Sequence, residues 1–192
     1  MPNRTPDLNE GDLTPAQRSV YDEIVAGPRG QVVGPLRVWL QSPELADRAQ
    51  KLGQFARYDS ALPHALSELA ILVTARIWSS GFEWSHHAPL AEQAGVTPDA
   101  VATIGCGERP DGLPADQQAI FDYAVELHRD RAVSNATHDR ATNVLGTRAV
   151  VDLVGICGYY TLISMTINAF EVPVDTGPPL PDIDLRPEQM FR

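Results

Sequence analysis

Between Leu153 and Phe170 the chain reads LVGICGYYTLISMTINAF, about 18 residues without a single charge. A stretch this apolar must leave water, either across a membrane or inside a protein core. Its length sits at the lower limit of a membrane span. Thr161, Ser164, Thr166 and Asn168 interrupt it, and no basic residue closes either end. A fully buried core helix in a helical protein, or a helix in an oligomer interface, is therefore expected, with no membrane role.

The rest of the chain is punctuated by helix starts. Thr14-Pro15 reads as N-cap and first helical residue of a helix that stops at Gly27. GPRGQVVGP, residues 27–35, is a Gly- and Pro-rich loop. Ser42-Pro43-Glu44 opens a second helix to about Phe55, and Leu62-Pro63 a third that carries apolar residues to Ser79. A fourth runs from near Phe82 to Gly95. Thr97-Pro98 starts a fifth that ends at Gly105, and Pro114-Ala115-Asp116 a sixth that reaches about Arg131. Ser134 caps a seventh, which stops at Gly146, and the eighth is the apolar one, from Thr147 to Phe170. Period-two alternation is nearly absent. The pattern predicts an all-α protein of about eight helices. Residues 1–13 read as a flexible N-terminal segment and 14–170 as a single domain. Residues 171–192, with five prolines and five acids, read as an extended Pro-rich arm, either disordered or packed on a neighbouring subunit.

Charge narrows the partners. Fifteen basic against 25 acidic side chains give a net charge of −10, which repels phosphate backbones and anionic membrane surfaces. Nucleic acid and membrane are not expected partners. Fourteen of the basic residues are Arg, and Lys51 lies in a polar stretch, so lysine Schiff-base chemistry is discounted. Cys106 and Cys157 are far apart and fit no metal or redox spacing, which suits free thiols in a reducing cytoplasm. The N-terminus has no apolar signal core. Cytoplasmic localisation is expected.

The densest chemistry lies in His64-Ala-Leu-Ser-Glu68 and Glu83-Trp-Ser-His-His87. Each pair is spaced i, i+4 and shares a helix face. Glu68 falls on one face with Leu72, Ala75 and Ser79, so it is expected to point inward. A buried carboxylate needs a partner or takes a proton. A neighbouring His would raise its own pKa and keep the Glu ionised, giving an acid/base pair. The alternative is a purely structural contact of Glu68 with His or with Arg76. Facing His and Glu could also hold a metal, but the di-metal Glu-x-x-His motif does not occur twice, and no metal is assigned. His86 cannot share the face of His87, so one of the two faces solvent or a partner. His128 and His138 read as surface residues. No nucleophile elbow, dinucleotide fingerprint or P-loop is present.

The stretch ELAILVTARIWSSGFEWSHHAPLAEQAGVTPDAV, residues 68–101, resembles the carboxymuconolactone decarboxylase family, which belongs with the alkylhydroperoxidase D-like proteins. The resemblance rests on a Glu opening an apolar helix, a turn, then a His eight residues before a Gly: Glu68, His87 and Gly95. Flanking text from GPRG to GYYTLISMTINAFEVP is similar as well, over roughly residues 15–181. The resemblance implies an alkylhydroperoxidase D-like helical bundle assembled as a homo-oligomer, a trimer or hexamer with sites near subunit boundaries. Peroxidase-active members carry Cys-x-x-Cys before the His. Here those positions are Ser80 and Glu83, which cannot cycle through a disulfide. The resemblance therefore implies the non-redox branch: a cofactor-free acid/base enzyme that decarboxylates or isomerises a small lactone or enol carboxylic acid. His87 would be the proton donor and Glu68 its orienting partner. Glu83 would be a second acid/base group, or a like charge raising the pKa of Glu68. Arg76 or Arg57 would bind the substrate carboxylate, with Ser80 also at the substrate; Trp84 and Phe82 would wall the pocket or, as large apolar side chains more often do, pack in the core. Arg76 could instead pair with Glu83. A non-catalytic oligomeric binding protein on the same scaffold is the competing reading.

Overall fold

The computed structural model of the chain describes residues 4–6, 8–174 and 176–192. Residues 1–3 and 7 of the N-terminal segment, and residue 175 of the C-terminal arm, lie outside the described residues. Among those described there is no strand, and the helices are α1 (Pro15–Ala26), α2 (Pro35–Trp39), α3 (Pro43–Gln54), α4 (His64–Ile77), α5 (Gly81–Ala94), α6 (Pro98–Gly105), α7 (Ala115–Asp130), α8 (Asn135–Leu145) and α9 (Thr147–Phe170). The all-α expectation holds, and all eight expected helices are present. The addition is α2, too short to show a period and hidden between Gly34-Pro35 and Ser42-Pro43. A π-helical turn, Phe55–Asp59, extends the end of α3.

The starts form as side-chain chemistry dictates. Thr14 and Gln17 make a reciprocal capping box at α1. The Thr97 and Ser134 hydroxyls accept backbone N–H bonds at α6 and α8. Each cap satisfies a donor that the first turn of a helix leaves open, worth about 1 kcal/mol.

The centre of the fold is α4. Every residue from Leu66 to Ile77 is buried, the behaviour of a helix with no polar face. It packs against α5, α6, α7 and α9. The sequence allows α9 either full burial or a place in an oligomer interface, and within the single chain its burial is partial. The most apolar window of α9 is 61% buried inside the fold, as in a core helix, but one face stays open: Val151 is 65% exposed, Met165 49% and Val154 43%. The burden of all-round burial falls on α4 because it has neighbours on every side.

A tight turn at residues 78–80 sends α5 back along α4. Ser79 takes a left-handed backbone, φ 49°, and Ser80 N–H returns to the Ala75 carbonyl. This hairpin sets the Glu of α4 opposite the His of α5.

The C-terminal arm lies on its own chain. The Ser85 hydroxyl donates to the Pro178 carbonyl (2.7 Å), and Arg76 Nη1 donates to that of Pro181 (2.7 Å). Gly177, at φ 97°, presses its backbone on Ser85, where a Cβ would stand 2.3 Å from the Ser85 carbonyl oxygen. Beyond it Met190 and Phe191 are sealed at 1% exposure, and the Phe191 ring meets Phe121 edge-on at 5.3 Å. Phe191→Ala removes this anchor and is expected to cost about 3 kcal/mol of stability. Denaturant unfolding against wild type measures the loss; a cost under half that would mean the arm contributes little to the fold.

Candidate functional site

Glu68 sits one turn into α4 and His87 near the middle of α5. The hairpin brings His87 Nδ1 to 2.7 Å from Glu68 Oε2. On its other edge His87 Nε2 lies 3.2 Å from Glu83 Oε2, one turn earlier on α5. His64 reaches the remaining oxygen of Glu68 at 3.1 Å. The side chains of Glu68 and His87 are 1% and 2% exposed, and that of Glu83 5%. The ring of Tyr160, from α9, stands edge-on to the imidazole at 5.0 Å.

Burial alone would strip the charge from each of these groups, but the pair overrules it. Desolvation works against the imidazolium, yet the adjacent Glu68 and Glu83 carboxylates outweigh it and lift the His87 pKa to about 9. Desolvation likewise opposes the Glu68 carboxylate, and the His87 cation, with His64 and Arg57, outweighs it and holds that carboxyl below its usual range. Glu68 is thus pulled down, so the idea that Glu83 raises it through like charge fails: the His87 cation, in contact with both carboxylates, outweighs that repulsion. At neutral pH His87 is an imidazolium that donates from Nδ1 to Glu68 and holds Glu83 within ion-pair distance of Nε2.

One side of this chain opens to a pocket of about 70 Å³. The Gly-rich loop supplies Arg29, Gln31 and Val33, α2 supplies Pro35 and Leu36, and the π-turn supplies Arg57. Phe82, Glu83, His86 and His87 come from α5, and Tyr160 and Ile163 from α9. Glu68 lies behind His87, sealed from the pocket. His86 is exposed at the pocket mouth, the solvent-facing neighbour of His87; partial desolvation there, then the His87 and Arg57 cations, push its pKa down to about 4. The neutral His86 Nε2 accepts from Arg57 Nη2 at 2.7 Å.

The sequence-derived residues therefore separate into two groups. His87, Glu68, Glu83, Arg57 and Phe82 come together at or behind the pocket. Arg76, Trp84 and Ser80 do not. Arg76 is 3% exposed and points the other way, donating to the carbonyls of Gly105 and Pro181 and to the Ser79 hydroxyl. Neither proposed role, substrate binding or pairing with Glu83, matches that position. It lies eight residues past Glu68, which is about 12 Å along the helix. Trp84 packs against Gly105 near the arm, because the residue after Glu83 turns about 100° away. Ser80 is fully buried, its hydroxyl without a partner. Sequence reasoning missed Arg29, which falls in the Gly- and Pro-rich loop; Tyr160, from the apolar stretch, joins it at the pocket. His128 is also not a plain surface residue, since its Nε2 donates to Thr74 Oγ1 at 2.9 Å. Cys106 is exposed and Cys157 buried, the latter's thiol pushed up to about 12 by burial; neither lines the pocket. Among the described residues no group of three or more His, Cys, Asp and Glu is arranged to hold a metal ion. Both ring nitrogens of His87 already face carboxylates.

Residues 43–126 match the model of the carboxymuconolactone decarboxylase family. No curated protein matches the chain in sequence. Among solved structures, an alkylhydroperoxidase AhpD core, an uncharacterized peroxidase-related protein from Ralstonia eutropha JMP134, is similar at a TM-score of 0.73 and 15% identity, covering 91% of this chain and 94% of its own. An uncharacterized peroxidase-related protein from Silicibacter sp. TM1040 is similar at a TM-score of 0.71 and 15% identity, covering 91% and 92%. A Cys-to-Ala variant of the debrominase Bmp8, in complex with a tribromopyrrole, gives 0.67 and 14%, covering 91% and 93%.

The pair can be tested by following the His ring signals by NMR against pH. His87 is expected to titrate near 9 in the wild type and at least one unit lower in Glu68→Gln. The folded pKa lies above the unfolded value near 6.5. The stabilisation from His87 is therefore complete below about pH 6.5 and disappears as pH rises through 9. Glu68→Gln should flatten that alkaline loss of stability; an unchanged titration would mean the two groups are not coupled.

Proposed function

We propose, for a chain whose residues 43–126 belong to the carboxymuconolactone decarboxylase family and whose fold is alkylhydroperoxidase D-like, a cofactor-free acid/base enzyme acting on a small lactone or enol carboxylic acid. The observation that carries this reading is the buried chain Glu68–His87–Glu83, which ends in a pocket at Glu83 and His87. A thiol peroxidase or thiol-dependent dehalogenation is disfavoured, since the positions where redox members carry cysteines hold Ser80 and Glu83.

In the proposed step the bound acid loses either CO₂ or a proton next to its unsaturated carbonyl. In the first case the C–C bond electrons pass into the conjugated system; in the second, the C–H electrons do, and Glu83 takes the proton. Both leave an extended enolate. His87 then gives its Nε2 proton to that enolate, and Glu68 keeps the imidazole oriented through Nδ1. After decarboxylation His87 regains a proton from solvent. After proton abstraction the proton held by Glu83 returns to it at 3.2 Å. Arg57 binds the substrate carboxylate.

The same reading makes the protein a homo-oligomer, trimer or hexamer, and the open apolar face of α9 supports it. Val154→Glu on that face should lower the mass measured by light scattering if α9 is an interface, and leave it unchanged if it is not.

The activity test is a screen of lactone and enol acids for CO₂ release and for deuterium uptake from heavy water. His87→Gln is expected to lose 10²-fold or more in rate, about the range of a positioned proton donor. The wild-type rate should hold at neutral pH and fall as pH rises through about 9, where His87 loses its proton. Full activity in His87→Gln would end this reading.

A further inference from the structure

Two guanidiniums line the pocket, Arg29 and Arg57. Among the described residues neither has a carboxylate within ion-pair distance, in a chain with ten more acids than bases. Elsewhere arginines readily find acids: Arg18 pairs with Asp22, Arg129 with Asp130, and Arg109 and Arg140 share Asp122. The partners of the pocket pair are neutral instead. Arg57 donates to His86, and Arg29 Nη2 donates to the Tyr159 hydroxyl at 3.2 Å. Tyr159 is sealed at 1% exposure, and burial pushes its pKa up to about 12, so it supplies no negative charge. Arg29 Nε is buried without any partner.

This placement of Arg29 is built into the fold. A Cβ on Gly53 would stand 2.0 Å from the Tyr159 hydroxyl and 2.4 Å from Arg29 Nη2. Only bare backbone at that point of α3 lets the guanidinium and the phenol lie together. The formal charges around the pocket are the carboxylates of Glu68 and Glu83 against the cations His87, Arg29 and Arg57. They leave one positive charge inside an acidic protein. A pocket with that balance is completed by one anion.

We propose that Arg29 and Arg57 form a carboxylate clamp, with Arg29 as its fixed jaw, and that the ligand is a small monocarboxylate which keeps its carboxylate through the reaction. The inference rests on the acid/base reading above and selects between its two steps. A carboxylate paired with two guanidiniums is stabilised as the anion, and departure as neutral CO₂ would forfeit those ion pairs. The clamp therefore favours the step that leaves the carboxylate in place. A C–H bond beside the unsaturated carbonyl breaks, Glu83 takes the proton, the electron pair enters the conjugated system, and His87 returns a proton to a different carbon. The product is an isomer, with no net change in atoms or electrons.

The probes are paraconate, a saturated lactone acid, its neutral methyl ester, and aconate, the unsaturated acid. Binding is read from His87 and Tyr160 signals by NMR. Paraconate is expected to bind the wild type saturably and at least tenfold more tightly than the ester, a difference of about 1.4 kcal/mol. Arg29→Gln should weaken paraconate about tenfold or more while leaving ester binding unchanged, and Arg29→Lys should restore part of the loss. Gly53→Ala, which keeps Arg29 but crowds it, should shift affinity the same way. Equal binding of acid and ester, equal losses of both in Arg29→Gln, or no saturable binding of paraconate up to millimolar concentration overturns the clamp. Aconate in heavy water separates the two claims. Deuterium uptake without CO₂ supports retention of the carboxylate, and CO₂ release overturns it. Neither event, with acid-selective binding intact, leaves the clamp standing and removes the acid/base reading.

Discussion

Two carboxylates buried on facing sides of a helical core both stay ionised only if a cation stands between them; otherwise one takes a proton. His87 is that cation. It is bound on one edge by Glu68 from α4 and on the other by Glu83 from its own helix. The α4–α5 hairpin, the tight turn at Ser79 and the all-round burial of α4 all serve that contact. Remove the imidazole and the hairpin would enclose two uncompensated charges. The fold and the proton-carrying group are in this sense one construction.

Much of this was legible in the chain. The helix starts were readable because Ser, Thr and Pro leave chemical marks at first turns, and Glu68 was readable as inward because it shares a face with Leu72 and Ala75. The i, i+4 spacing of Glu83 and His87 gave half of the buried chain directly. The family pattern gave the other half, since no local period connects residues on two helices. What could not be read was direction around and along a helix. Arg76 looked suitable as a cation on the helix of Glu68, but eight residues carried it to the opposite end, where it holds the arm. Trp84, open to either pocket wall or core from sequence, is core because a single residue of rotation turns it away from the face of Glu83. Arg29 escaped because its significance depends on Gly53 and Tyr159, neighbours that only the folded chain supplies.

The site also shows how a strongly acidic chain can hold a locally positive pocket. The surface acids largely consume the surface arginines. Arg29 and Arg57 are kept from them by packing: one is threaded past a bare glycine, the other is engaged by a neutral imidazole. Electrostatic character here is set by which cations are shielded from the acids, not by the overall count.

The π-turn at Phe55–Asp59 has a bearing on how such a pocket could arise. A π-turn holds one residue more than the α-turn it replaces, and so reads as an insertion at the end of an otherwise regular helix. An ancestor without that residue would have continued α3 in ordinary register. The side chain now at Arg57 would then have been swung by about 100° around the axis, away from the mouth beside His86. A single inserted codon can thus bring a guanidinium to an existing Glu–His–Glu cluster without altering any other helix. Chains that share the Glu–turn–His core could diverge in what they accept by gaining or losing this one register shift.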